Sequence, residues 1–460
     1  TPKVSYSFDP SKTDTLNASI TATGVGSVDQ NGVLSPAETS SLEARFHLVR
    51  ENGQWRIDAP ADGVVVSQAS FTASHELVSL MFLSATGDSL IADPRWYPTR
   101  RVETHMLEGL IAGPQSHLSD ALVNAIPSGT SISAGGIELS DHVAKVSLNG
   151  TLPSDDRGKQ LMAWEISQTL QRSGRVNSVE INVGGEALPS SGLPSQPSFD
   201  LDSAVALNSN GLVRIDGRSV STRILPITPS SSASLPAVSP VSSSLLAWRE
   251  DDRLILVDSS TNATRVVDGS EGQYSPSIDR FGWVWDIPRG GNLRASRIDG
   301  QNLAIASENQ SLNGVSAVRV SPDGARALLL RQVGGSTSAW IAGIERRGSG
   351  EPIALTDPEP LAGLSTGVDD VSWAGRSTVV AVRQGGLRAG NDQVDEVSLV
   401  TVPVGGFPSV LALPTGTQRL SAGSSSATMV IRGKDGNYQV RSGALWQSLE
   451  GNLRDVNFPG

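Results

Sequence analysis

The 460-residue chain has no cysteine. That excludes disulfides, thiolate metal sites and cysteine nucleophiles, while leaving the compartment open, since an exported bacterial protein needs no disulfide. Lysine is almost as scarce. Only Lys3, Lys12, Lys145, Lys159 and Lys434 occur, and every other basic residue is arginine, a bias that a GC-rich genome produces. Basic runs are missing: Arg100-Arg101 and Arg346-Arg347 are only pairs, and the net charge is −11. A phosphate backbone needs clustered Lys and Arg, so nucleic acid is excluded as a partner. No apolar stretch approaches the roughly 18 residues of a membrane span. The longest, such as 77–83, have strand length, and the chain reads as soluble. It starts at Thr1 without methionine or a signal sequence, which reads as a trimmed mature portion.

Glycine is abundant, at 47 residues, and the hydrophobic content is 38%. This composition suits turn-rich β structure, and the length allows roughly two to four domains. From about Phe199 onward one pattern recurs every roughly 35–50 residues: a short apolar strand, a turn, then returning strands. The clearest copy is 315–320, followed by Ser321-Pro322-Asp323-Gly324 and then 325–331. Val318 and Val320 alternate onto one face, as in a half-buried strand. Proline presets φ, aspartate bonds the local backbone and glycine takes the left-handed conformation, so a hairpin is expected. Looser copies open at 204–207, 245–248, 281–285, 371–373 and 429–432, making six units. Short strands at a long fixed period predict a β-propeller of about six blades, with a β-sandwich as rival. The Ser- and Pro-rich stretch 226–244 reads as an extended inter-blade loop.

Residues 1–62 read as the strand half of a small α+β module, with a hairpin turn at Asn52-Gly53. Residues 68–188 read as a second, α/β module in the order β, α, α, β, β, α, β. Its elements are a strand at 76–83, helices at 102–112 and 118–125, a strand at 143–148, a helix at 155–172 capped by Ser154 or Asp155, and a closing strand at 176–183. A linker, 187–198, leads into the propeller at 199–460.

Several segments of the second module carry a family resemblance: Met81-Phe82-Leu83, Asp93-Pro94-Arg95-Trp96, Leu110-Ile111-Ala112-Gly113-Pro114, Ala125-Ile126-Pro127-Ser128-Gly129-Thr130 and Val146-Ser147-Leu148. They resemble the GerMN domain of spore-germination proteins. Such a domain, between a nuclear-transport-factor-like fragment and a propeller ending in Asn457-Phe458-Pro459-Gly460, resembles the LpqB family of actinobacterial lipoproteins. The resemblance implies a lipid anchor on an N-terminal cysteine outside the cytoplasmic membrane; that cysteine would lie upstream of Thr1. It also implies an accessory role for a sensor histidine kinase of the MtrB type, in a two-component system tied to cell-wall homeostasis and division.

Residues that suggest an enzyme are weighed as follows. Gly363-Leu364-Ser365-Thr366-Gly367 matches the nucleophile-elbow pattern, but neither a following helix nor a later histidine accompanies it. All five histidines (His47, His75, His105, His117, His142) precede the propeller. His75-Glu76-Leu77-Val78-Ser79 is half a zinc-protease motif with serine at the second ligand. His105 and His117 read as surface or cap residues. Asp155-Asp156, Asp251-Asp252 and Asp369-Asp370 sit where aspartate serves starts and turns. Trp248, Trp283, Trp285, Trp340, Trp373 and Trp446 read as inter-blade packing.

The candidate binding stretch is 93–101. Two prolines are expected to keep it irregular, and it offers Arg95, Trp96, Tyr97, Arg100 and Arg101, residue types enriched at binding hot spots. Packing of Trp96 onto its own domain is the alternative. The expectation is a non-enzymatic extracytoplasmic scaffold with no cofactor and no metal. Its partner would be the extracytoplasmic domain of a sensor kinase, with cell-wall glycan or peptide as the alternative ligand and hydrolysis in a propeller funnel least supported.

Overall fold

The computed structural model describes residues 3–7, 14–22, 24, 26–36, 42–58, 62–221, 228–270, 272–288, 292–307, 309–384 and 397–460. Thr1 and Lys12, named above, lie outside these residues, as do the first two positions of the stretch 226–244. Strands dominate, and among the described residues no helix is long and apolar enough to cross a membrane.

The N-terminal strands Lys3–Ser7, Thr15–Ala22, Leu42–Glu51 and Gln54–Asp58 form one antiparallel sheet in chain order. Asn52 and Gly53 both have positive φ, the geometry of a tight hairpin turn. A separate small hairpin, Gly26–Val28 with Leu34–Pro36, projects from this unit.

In the middle module, helix α1 (Gln68–Ser74) leads into strand His75–Ser84, which lies between Leu90–Pro98 and Leu122–Val123. Helix α2 (Val102–Ala112) follows. A second sheet pairs Val143–Asn149 in parallel with Ser178–Val183, and helix α3 (Asp156–Gln171) makes the crossover that parallel strands require. Asp155 caps α3, its Oδ1 accepting from Gly158 N at 2.7 Å. Met106, Leu107 and Leu110 of α2 pack with Met162, Ile166 and Leu170 of α3 over Leu80, Phe82, Val146 and Leu148.

Two expectations are corrected here. Residues 118–125 are not a helix: a single 3-10 turn, Ser116–Leu118, gives way to Leu122–Val123, which pairs with the end of strand His75–Ser84. So short a segment gains little from helix formation and more from burying Leu118 and Leu122. Residues 93–98 are not irregular either. They belong to an edge strand whose prolines, Pro94 and Pro98, sit where a missing N–H is tolerated.

Among the described residues six four-stranded sheets follow, the fourth extended by Glu359–Pro360. The C-terminal strand Arg454–Asn457 pairs with Ser203–Asn208, so the first blade takes its innermost strand from the end of the chain. The stretch read as an inter-blade loop is also corrected: it contains Ala233–Val238, the innermost strand of blade two. The repeat count matches six, but its phase does not hold throughout. Strands at 315–320 and 368–373 are first strands of their blades, whereas 203–208, 245–250, 283–286 and 429–433 are second strands. First strands such as Ser277–Ile278 are too short to announce themselves. Val318 and Val320 are buried together with Ala317 and Arg319, because blades stack on both faces of the strand. Trp248, Trp283, Trp285 and Trp373 are fully buried, but Trp340 and Trp446 lie partly exposed on third and fourth strands.

The middle module sits on one face of blades three to five. Arg280 pairs with Asp88 and donates to Ser89 Oγ at 2.7 Å. Arg326 donates to Ala92 O, and Arg376 to Pro197 O at 2.9 Å. Gly343 allows close approach: a Cβ there would lie 3.0 Å from Ala121 Cβ and from His117 O.

Candidate functional site

The edge strand Leu90–Pro98 is where all three units meet. Its free edge receives the N-terminal hairpin, with Trp96 N donating to Gly32 O at 2.8 Å. Gly32 has φ +79°, and a Cβ there would lie 2.5 Å from Trp96 O, so the approach requires glycine. Trp96 Nε1 donates to Gly405 O of the propeller at 2.9 Å. The indole also packs between Phe71 of α1 and Phe407 of the propeller, at 5.1 Å from each ring. Phe71 in turn stacks on His75 at 4.4 Å.

One residue back, Arg95 is held by Asp93 through Nε at 3.3 Å and Nη2 at 2.8 Å. It also donates to Asn31 O and Gly113 O, both at 3.2 Å. Burial opposes its charge, but the bonds and charge of Asp93 hold its pKa above the ordinary arginine value. The Asp93 carboxylate accepts further from Gln115 N at 3.0 Å and from Gln115 Nε2 at 2.5 Å. One residue on, burial raises the Tyr97 pKa to about 12, keeping the phenol neutral. Its hydroxyl presses on α2 where Gly109 leaves room; a Cβ there would be 2.0 Å away.

Between the hairpin, strand Leu90–Pro98 and α2 runs a groove of ≈ 500 Å3. Its walls include Asp29, Asn31, Phe71, His75, Trp96 and Tyr97, with His105 and Glu108 paired at 3.2 Å along one side. Of the five expected binding residues, Arg95, Trp96 and Tyr97 are therefore buried wall residues, and Arg95 and Trp96 tie the modules together. Arg100 and Arg101 are exposed at the turn into α2, Arg101 with φ +56°. Sequence reasoning missed Gly32, Phe71 and Phe407. Only Asn31-Gly32 carried a local signal, that of a turn.

The remaining candidates do not assemble. Ser365 lies in an exposed turn followed by strand Val368–Trp373, not a helix. His75 begins a strand. The surface or cap reading of His117 is corrected: burial lowers its pKa, and its Nδ1 lies 3.6 Å from Glu359 Oε2 of the propeller. Among the described residues no three or more His, Asp or Glu side chains are grouped to hold a metal. The turn reading of Asp369-Asp370 is corrected: both lie within strand Val368–Trp373, an innermost propeller strand, with Asp370 buried.

Residues 210–459 match the family described as Lipoprotein LpqB beta-propeller domain, residues 2–72 the Lipoprotein LpqB, N-terminal domain, and residues 79–189 Sporulation and spore germination. Similar curated proteins include Lipoprotein LpqB of Streptomyces coelicolor, 27% identical over 508 residues, covering 96% of this chain and 79% of that protein. Another is Lipoprotein LpqB of Mycolicibacterium smegmatis, 25% identical, covering 81% and 69%. Similar solved structures include TolB from Acinetobacter baumannii, 14% identical with a TM-score of 0.38, covering 86% of each chain. The tandem GerMN domains of GerM from Bacillus subtilis are 14% identical with a TM-score of 0.21, covering 31% of this chain and 59% of that one.

Proposed function

The chain belongs to the LpqB lipoprotein family, and on that premise we propose that it is a non-enzymatic, lipid-anchored accessory protein of the cell envelope. It binds the extracytoplasmic domain of a sensor histidine kinase of the MtrB type and shifts its signalling equilibrium in cell-wall homeostasis and division. Residues 1–62, 68–188 and 199–460 are its three modules, and the lipidated cysteine precedes them. The observation that supports this reading is the groove of ≈ 500 Å3, whose walls come from separate modules locked by Trp96. A surface assembled this way has one shape only when the modules are docked. A partner that prefers one kinase state over another needs no more than differential affinity. Arg100 and Arg101, exposed at the strand's end, supply adaptable charged contacts there.

Direct titration of the purified chain with the purified sensor domain, with soluble wall fragments as competitor, tests this. Saturable binding is expected, weakened about tenfold or more by Arg100→Glu with Arg101→Glu, the loss of a pair of interfacial charges. Binding to wall fragments with none to the sensor domain would overturn it in favour of a wall-ligand module.

A further inference from the structure

The propeller axis holds a second site, unconnected with the groove. A cavity of ≈ 100 Å3 lies where the innermost strands converge. For comparison, about 150 Å3 suffices for benzene, so this space suits a group of a few heavy atoms. Its lining combines three arginines, Arg319, Arg419 and Arg432, with two aspartates, Asp370 and Asp455. Asp370, Arg419 and Asp455 stand near the beginning of their innermost strands, and Arg432 near the end of the second strand of blade six. The middle module docks on the turns that follow first and third strands, so the cavity faces the opposite side of the propeller.

The cavity's polar groups are left partly unanswered. Asn457 is 96% buried; its Oδ1 accepts from Ser421 Oγ at 3.3 Å, while its Nδ2 has no partner among the described residues. Nε of Arg432, also buried, has none among the described residues. Arg419 and Arg432 are direct cross-strand partners, a like-charge arrangement that needs a counter-charge, and Asp370 supplies part of it to Arg419. Arg419 lies over the Tyr274 ring at 4.2 Å, and Arg319 donates to Ser275 O at 2.8 Å. Burial lowers the Arg319 pKa and raises that of Asp370, so both charges are under-solvated. Among the described residues Asp370 accepts from the N–H groups of Val371 and Leu420, each at 3.0 Å, with the charges of Arg319 and Arg419 also acting on it. Across the cavity Leu235 has φ +53° and Asp455 φ +52°. The two are joined by Leu235 N donating to Asp455 Oδ2 at 3.1 Å. A leucine in this conformation is a true outlier, and such strain concentrates at ligand clamps.

We propose that this axial cavity binds an α-carboxylate together with its adjacent N–H, as presented by a free amino acid or by the last residue of a peptide. The carboxylate takes the free donors of Arg432 and Asn457 and neutralises the arginine excess. Its N–H is then offered to Asp370 or Asp455. A dianionic phosphate fits less well, because those two carboxylates repel it. The assignment stands whether or not the sensor kinase is the partner.

Calorimetric titration of the full chain tests it with L-alanine, N-acetyl-alanyl-alanine, its C-terminal amide and inorganic phosphate. Saturable binding of alanine or of the acetylated dipeptide acid is expected, with no binding of the amide. Alanine alone assigns a free amino acid; the dipeptide acid assigns a chain terminus. Arg432→Gln should weaken binding about tenfold, the loss of one bond to a charged group. Asn457→Leu gives a second variant, and unchanged circular dichroism shows that either is folded. The assignment is overturned if no probe binds, if the amide or phosphate binds as well as the acid, or if both folded variants bind like the parent chain.

Discussion

Glu165 shows how one buried side chain couples the fold to pH. It lies on the packed face of α3, its Oε2 accepting from Ala125 N at 2.8 Å. Burial raises its pKa from 4.5 to about 8, against the opposing effect of the Ala125 and Leu83 backbone donors. The folded value exceeds the unfolded one, so the folded chain holds this proton more tightly. The associated stability is complete below about pH 4.5 and is lost as pH rises through about 8. Glu165→Gln keeps an acceptor for Ala125 N without the ionisation. Its unfolding free energy should equal the parent's near pH 4.5 and exceed it increasingly toward pH 8, by on the order of a few kcal/mol, with the melting temperature rising in step. Melting curves that stay parallel across that window would refute the account. Nothing in the sequence distinguished Glu165 from the exposed acids; helix periodicity placed α3, but only packing put this residue inside.

At the scale of elements, strand Leu90–Pro98 organises the module contacts. Its sequence hid it, because Pro94 and Pro98 break a strand pattern unless the strand lies at an edge. Sequence reasoning did find the right stretch, on its Arg, Trp and Tyr content, yet misread its state. Those side chains face neighbours whose arrival depends on chain segments some 60 residues before and 300 residues after. Gly32→Ala tests the element directly. The added Cβ would collide with Trp96 O in a left-handed position, at a cost of about 1–3 kcal/mol. Hydrogen exchange at the Trp96 amide should accelerate, since its acceptor is Gly32 O, while Phe82 in the adjoining strand stays protected. Equal protection at Trp96 before and after the substitution would show that the hairpin is not what closes this edge.

For the whole molecule, closure of the propeller ring depends on the last few residues. Arg454–Asn457 supplies the innermost strand of blade one, and Phe458 is buried in the same cluster as Ala204 and Tyr438. Phe458 N also donates to Ser421 Oγ of blade six, joining the ring across its seam. A chain truncated after Leu453 would expose the edge of Ser203–Asn208, a template for pairing with another chain. Such a chain should melt markedly lower and elute as dimers or larger species on size exclusion. A monomer of unchanged melting temperature would show that the ring is closed by other contacts.

Length, glycine content and the hairpin grammar of residues 315–331 determined a mostly β, repeat-built second half. The helical spacing of residues 102–112 and the capped run after Asp155 determined α2 and α3, because short-range periodicity and caps act within a few residues. Six was legible as a count. What tertiary structure alone decided was the phase of the blades, the strand hidden in the Ser- and Pro-rich stretch, the burial of Arg95, Trp96 and Tyr97, and the axial cavity. Each of these depends on contacts between residues far apart in the chain. Whether a proline is tolerated, an arginine paired or a tryptophan covered is settled by the neighbour that folding brings, and local spacing carries no record of it.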